Sequence, residues 1–88
     1  MDNYIEQFTY YLKLERGVAD NTLVNYLYDL EKFQQFLGSE IDLLKIEEND
    51  IRNFIYFISD FLAPSTQARI LSSLNHFYSF LILQNVIQ

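Results

Sequence analysis

The sequence predicts an all-α fold, a compact bundle of four helices. Hydrophobic residues recur at the helical period in four separate stretches of the chain. The turn chemistry that β-hairpins need is scarce, because the 88 residues include only two Gly and one Pro. Half of the residues are hydrophobic, with eight Phe and seven Tyr. A chain of this length and composition can bury the core of one small domain.

The first two helices are predicted from their apolar stripes and end signals. The first runs from about Asn3 into the segment ERGVADN, and its stripe consists of Tyr4, Ile5, Phe8, Tyr11 and Leu12. The second runs from about Asn21 to Leu37, with Asp20 or Asn21 as the capping residue. A glycine follows each helix, as is common at helix C termini. The apolar face of the second helix contains Leu23, Tyr26, Leu27, Leu30, Phe33 and Leu37.

A connector with the sequence SEIDLLKIEEND precedes the third helix. Ile46 and Ile51 flank its acidic start and resemble a hydrophobic staple. Its apolar stripe comprises Ile51, Phe54, Ile55, Ile58 and Leu62. The segment APS breaks this helix, because the residue before Pro64 is disfavoured in the helical region. A fourth helix is then predicted over residues 65–81, with Ser65 as its cap.

The fourth helix, STQARILSSLNHFYSFL, divides into two arcs. The arc predicted to face the core consists of Ile70, Leu71, Leu74, Phe77, Tyr78 and Leu81. The arc predicted to face outward consists of Ser65, Thr66, Arg69, Ser72, Ser73 and His76.

Charge is distributed unevenly along the chain. The net charge is −6, which argues against a general attraction to nucleic acid. Residues 1–60 carry all 12 acidic residues and five of the six basic ones, whereas residues 61–88 carry only Arg69. The C-terminal third is therefore free of negative charge, although the whole chain is acidic.

No constellation of residues predicts catalysis, a metal site or a cofactor. The chain has no Cys and no Gly-rich phosphate loop. His76 has no carboxylate partner nearby in the sequence and is read as a solvated side chain. Glu47, Glu48 and Asp50 are read as acids favoured at a helix N terminus rather than as metal ligands. No signal peptide and no membrane-length apolar run is present, so we expect a soluble, cytoplasmic protein.

The outward arc of the fourth helix admits three interpretations. Short neutral side chains let a helix approach another surface closely, and their hydroxyls and amides can bond to phosphates or base edges. A face without acids also avoids repulsion from a polyanion, which favours contact with DNA. A protein–protein surface and an ordinary solvated face remain open as alternatives.

Two stretches of this chain resemble the N-terminal core-binding domain of tyrosine recombinases, the phage-integrase and Xer family. The first is YIEQFTYYLKLERGVADNTLVNYLYDLEKFQQFL, with Thr22, Tyr26, Asp29-Leu30 and Phe33 at the family's spacing. The second is STQARILSSLNHFYSFL, with Ala68-Arg69 and the run Leu71-Ser72-Ser73-Leu74. The connector IEENDIRNFI resembles the start of the family's third helix, so the resemblance covers nearly the whole chain.

The resemblance implies a four-helix SAM-like domain that forms half of a clamp on double-stranded DNA at a recombination half-site. The second and fourth helices would face the DNA. The DNA-facing residues that it implies are Thr22, Asn25, Ser65, Thr66, Arg69, Ser72, Ser73 and His76. It assigns catalysis to a C-terminal domain that is absent from these 88 residues, so no catalytic residue, metal or cofactor is carried over. The apolar end LILQNVIQ is expected to be a cut at a domain boundary.

The resemblance also implies protein partners. They are the missing catalytic domain and the other recombinase subunits of a synaptic assembly, and no membrane is implied. With few cations, we expect about two or three phosphate contacts and a shallow salt slope of about −2 to −3, and therefore weak binding by this domain alone. The alternative is a protein–protein interaction module, for which Phe57, Phe61 and the segment FLILQNVI are candidate exposed surfaces. A free-standing enzyme is disfavoured, because no nucleophile–base pair is visible.

Overall fold

The computed structural model describes residues 2–38 and 41–87, which form four α-helices and contain no strand. The helices are α1 (Asp2–Tyr10), α2 (Asp20–Leu37), α3 (Glu48–Ser59) and α4 (Pro64–Leu83). A π-helical turn (Tyr11–Glu15) continues α1, and a short 3-10 helix (Leu43–Lys45) lies in the connector before α3. Ser39 and Glu40 of that connector lie outside the described residues. The predicted all-α class and the four helices are confirmed.

Two of the predicted helix caps are wrong. Ala19, in an extended conformation, is the N-cap of α2, so Asp20 and Asn21 already lie inside the helix. Ala63 is likewise the N-cap of α4, and Pro64 rather than Ser65 is its first residue. Proline is favoured at the first helical position for two reasons. The backbone N–H that proline lacks would have no partner within the helix there, and the φ angle of proline is already helical. Both helices therefore begin without a side-chain cap.

The start of α3 agrees with the predicted pattern. The carboxylate of Asp50 accepts a hydrogen bond of 2.9 Å from the backbone N–H of Glu47, the N-cap residue. Ile46 and Ile51 on either side of this cap are both half-buried against the core, as a hydrophobic staple requires. The acids of this segment thus have a structural role at the helix terminus.

The core is a continuous aromatic and aliphatic cluster between the helices. Phe8 of α1 is fully buried, with ring centroids 5.3 Å from Phe77 and 5.4 Å from Phe80 of α4. Phe33 of α2 lies 5.1 Å from Phe54 of α3. The cluster joins every α-helix to at least one other, and it fixes α2 beside α4, where the candidate site lies.

The buried arc of α4 is rotated relative to the prediction. Ser73 was expected to face outward but is fully buried, and Phe80 is buried as well. Leu71, expected to face the core, is 37% exposed. At about 100° per residue, Ser73 lies between Phe77 and Phe80 on the helical wheel, and both of these residues are buried. Ser73 can occupy that place because a polar partner on α2 faces it across the helix interface.

Candidate nucleic-acid interface

A buried carboxylate lies at the interface between α2 and α4. Asp29 of α2 is fully buried, and its two oxygens accept hydrogen bonds of 3.0 Å and 2.8 Å from Nη1 of Arg69. The Oγ of Ser73 donates a third bond, of 2.6 Å, to Oδ2 of Asp29. A carboxylate accepts several such bonds, and a buried one needs them to offset its lost hydration. These three residues tie α2 to α4.

This ion pair changes the expected role of Arg69. The residue was predicted as a cation available for a phosphate or a base, but its charge is balanced by Asp29 at 2.8 Å. Its side chain is still 42% exposed, and the hydrogen bonds to Asp29 use only Nη1 among its nitrogens. A guanidinium has five N–H donors, so the donors on its other two nitrogens are not used by Asp29. Contact between Arg69 and DNA stays a prediction.

Ser73 does not belong to an exposed face. Its hydroxyl is fully buried and is used between Asp29 and the backbone carbonyl of Arg69, which it approaches at 3.2 Å. Direct contact between Ser73 and DNA is therefore excluded in this conformation. Its role is to help to satisfy the buried carboxylate.

The remaining predicted residues lie on one side of the helix pair. On the helical wheel, Thr22 and Asn25 lie within about 40° of Asp29, at about 100° per residue. Ser65, Thr66, Ser72 and His76 lie within about 60° of Arg69 by the same spacing. Thr66 is half-buried and the others are exposed. We call this surface the polar strip: Thr22, Asn25, Ser65, Thr66, Arg69, Ser72 and His76.

A second contact joins α2 and α4 beside the polar strip. The ring of His76 meets the ring of Tyr26 edge-on, with the centroids 5.5 Å apart. Tyr26 and Asp29 are one helical turn apart on α2. On α4, Ser73 lies one turn after Arg69, and His76 lies one turn after Ser73. The strip therefore follows the groove between two helices that contact each other at successive turns.

Two acidic side chains face a different surface. Glu6 and Glu31 line a shallow groove on the opposite side of α2, together with Ile5, Thr9, Leu27 and Gln34. Within α4, residues 64–83, the sequence has no Asp and no Glu. Asp29, the carboxylate that contacts Arg69, is buried and paired. The surface is thus nearly neutral within a chain of net charge −6.

Sequence reasoning did not identify a small pocket at one end of the strip. The pocket has a volume of about 230 Å³. Its rim carries the polar groups of Tyr11, Arg16, Tyr26, His76 and Ser79, and its floor contains Phe8, Leu12 and Phe80. Nη1 of Arg16 lies 3.5 Å from the hydroxyl of Tyr11, and this contact raises the pKa of Arg16. The residues come from α1, the π-helical turn, the connector after it, α2 and α4, which explains why no local pattern predicted them.

No group of three or more His, Cys, Asp or Glu side chains in residues 2–38 and 41–87 is arranged to hold a metal ion. Glu48 pairs with Arg52 at 3.1 Å on the surface of α3. Among the same residues, no helix combines the length and the apolar character that crossing a membrane requires.

Comparison with known proteins identifies the family. The family model described as phage integrase, N-terminal SAM-like domain, matches residues 5–85. The chain is 35% identical to tyrosine recombinase XerD of Oceanobacillus iheyensis, with 93% of this chain and 29% of that protein aligned. It is 39% identical to tyrosine recombinase XerC of Staphylococcus epidermidis, with 97% of this chain and 29% of the relative aligned.

A third relative is a tyrosine recombinase of Thermosipho africanus, 37% identical, with 99% of this chain and 32% of the relative aligned. The chain thus spans about three tenths of the length of these relatives. No solved structure matches the chain. The family model covers nearly all of the chain, and relatives above 30% identity align with almost its full length. The chain belongs to the family of phage-integrase N-terminal SAM-like domains found in tyrosine recombinases.

Proposed function

We propose that this chain is the non-catalytic DNA-binding domain of a site-specific tyrosine recombinase. It would hold double-stranded DNA at a recombination half-site with α2 and α4, while the tyrosine nucleophile would lie in a separate catalytic domain. The observation that carries the proposal is the polar strip. Exposed hydroxyl, amide and imidazole groups are concentrated there, and the nearby carboxylate is buried and paired.

The chemistry of the strip suits a polyanion. Short side chains such as Ser72 and Asn25 allow the helix backbone to approach DNA closely and can donate hydrogen bonds to phosphate oxygens or to bases. The strip carries little net positive charge, so the counterion release that dominates DNA affinity would be small. The domain alone would therefore bind weakly, and linkage to a second DNA-binding domain would raise the effective concentration at the site.

A matched pair of asparagines tests the proposal. Asn25 of α2 lies in the polar strip and Asn53 of α3 lies outside it, and both are exposed within helices. Asn25→Asp and Asn53→Asp add the same charge with almost no change of shape. We expect N25D to weaken binding of a fluorescent half-site duplex at low salt, measured by anisotropy, and N53D to leave it near wild type. Equal effects of the two changes would contradict the placement of DNA on α2 and α4.

A second function is favoured by an exposed row of aromatic rings, which we call the aromatic ladder: Phe36, Phe57 and Phe61. Phe57 is 50% exposed and Phe61 is 61% exposed. The ring centroids of Phe36 and Phe57 are 5.0 Å apart, and those of Phe57 and Phe61 are 5.2 Å apart. Adjacent exposed aromatics of this kind are typical of protein–protein contacts. The ladder would serve contacts between recombinase subunits.

Sedimentation at increasing protein concentration separates the two functions. We expect Phe61→Gln to reduce any self-association. Tyr56→Gln is the control, because it changes an exposed aromatic residue of α3 outside the ladder, and it should leave self-association unchanged. Association that is independent of duplex DNA would favour an interaction module. A chain that stays monomeric at all concentrations would exclude self-association through the ladder.

A further inference from the structure

The cation of the polar strip is Arg69, and its charge is balanced by Asp29. Neutral donors can position a phosphate, but the salt-dependent part of DNA affinity comes from cations that replace counterions. A further cation that contacts DNA here would lie beside the strip and would not be paired with a carboxylate.

Arg16 meets both conditions. Arg52 is paired with Glu48 on α3. Lys32, whose Nζ lies 4.9 Å from the ring centroid of Tyr28, does not line the pocket at the end of the strip, and neither do Lys13 and Lys45. Arg16 is exposed, and among the described residues its side-chain hydrogen bond goes to the neutral hydroxyl of Tyr11. Its positive charge is therefore not cancelled locally by an ion pair.

The pocket described above connects Arg16 to the strip. Arg16, Tyr26 and His76 line the same pocket, and the Tyr26–His76 ring contact belongs to the α2–α4 interface. Ser79, also on the rim, follows Arg69 by ten residues, which is about 15 Å along the helix. Arg16 thus lies at one end of the strip, and the Arg69–Asp29 pair lies towards the other.

We propose that Arg16 binds a backbone phosphate of duplex DNA at this pocket. The hydroxyl of Tyr11 would hold the guanidinium, and Ser79 and His76 would line the space that the phosphate enters. Phe8, Leu12 and Phe80 also line the pocket and are buried, and an apolar surrounding strengthens a charge-assisted hydrogen bond. This inference rests on the proposed DNA-binding function and adds to it the residue that supplies the cation.

The test compares two arginines that differ in place but not in charge. Arg16→Gln and Arg52→Gln each remove one positive charge from an exposed side chain. The affinity of the 88-residue chain for a half-site duplex is measured over a series of salt concentrations. We expect R16Q to reduce the magnitude of the slope of log K against log salt by about 0.9, the value for one phosphate. We expect R52Q to leave the slope unchanged.

Three other outcomes overturn the inference, and they separate it from the proposed function. If N25D weakens binding more than N53D but R16Q and R52Q give the same slope, Arg16 does not contact DNA and the proposed interface stands. If inorganic phosphate shifts the NMR signals of the pocket while R16Q leaves the DNA slope unchanged, the pocket binds free anions only. If the wild-type chain shows no binding to duplex at low salt, both proposals fail. The melting temperature of R16Q serves as the control for folding.

Discussion

The guanidinium of Arg69 and the carboxylate of Asp29 form an ion pair across the α2–α4 interface, with N–O distances of 2.8 Å and 3.0 Å. The carboxylate is fully buried, whereas the arginine side chain is 42% exposed. Asp29 is part of the packing between the helices, and Arg69 is part of the polar strip. The same ion pair therefore contributes to the helix packing and sets the charge of the strip. Any change to Arg69 therefore affects stability as well as the surface, and the two effects have to be measured separately.

Arg69→Gln is expected to destabilise the fold by about 3 kcal/mol, because it leaves a buried carboxylate without its cation. Arg52→Gln removes an arginine from an exposed i,i+4 pair at 3.1 Å, and we expect a loss of about 0.5 kcal/mol or less. Urea denaturation of the two variants measures both values. Similar losses in the two variants would mean that the Asp29–Arg69 pair contributes no more than a surface pair.

Ser73→Ala is expected to destabilise the fold by about 2 kcal/mol, since it removes a hydrogen bond to a charged and buried acceptor. Ser72, its neighbour, is exposed, and Ser72→Ala should change the stability by less than about 0.5 kcal/mol. The melting temperatures of the two alanine variants provide the comparison. If S72A were the more destabilising change, the observed rotation of α4 would be wrong.

The stability of the fold is expected to fall in alkaline solution because of Tyr78. Burial, with the charges of Asp42 and Asp50, raises the pKa of Tyr78 well above its ordinary value. The hydroxyl donates a bond of 2.8 Å to the carbonyl of Leu43. In an unfolded chain the tyrosine hydroxyl loses its proton at a pH of about 10, whereas in the folded chain the hydroxyl of Tyr78 keeps its proton at that pH. The contribution of Tyr78 to the stability of the fold is therefore complete below that pH and is lost as the pH rises above it.

Tyr78→Phe isolates this effect. At neutral pH it should cost about 1 kcal/mol for the lost hydrogen bond, and it should flatten the alkaline fall in stability. Tyr28, an exposed residue, supplies the control change Tyr28→Phe. The measurement is chemical denaturation at a series of pH values, and an alkaline slope in Y78F equal to that of the wild type would contradict the prediction.

The turn between α1 and α2 depends on the backbone of Gly17, whose φ is +62°. A Cβ added there meets no atom within 4 Å, so the cost of a substitution is backbone strain alone. We expect Gly17→Val to destabilise the fold by about 1–2 kcal/mol and Gly17→Asn by less, since asparagine tolerates this region. Denaturation curves of the two variants test this order, and the reverse order would contradict it.

Local periodicity predicted the helices because each apolar stripe is a property of neighbouring residues. Phe8, Leu30, Phe54 and Leu74 were all expected in the core, and all are buried. The predicted ends were less accurate at Ala19 and Ala63, where the chain begins a helix without a side-chain cap. Capping propensity is a weak local preference, and tertiary packing or a proline at the first position overrides it.

The role of the fourth helix could be predicted only in part. Its lack of acids is visible in the amino-acid order, and so is the resemblance to the recombinase family. Asp29 lies one turn from both Tyr26 and Phe33 on the buried side of α2, which was a signal that it needed a cation. That the cation is Arg69, forty residues away, depends on how α2 and α4 pack.

The amino-acid order was therefore enough to establish the fold class, the family and an acid-free C-terminal third. Only the tertiary structure decided that Ser73 is buried, that the charge of Arg69 is balanced and that Arg16 and His76 line one pocket. The physical reason is that hydrophobic periodicity acts between residues three or four positions apart. Hydrogen bonds and ion pairs join whichever polar groups the packed helices bring within about 3 Å.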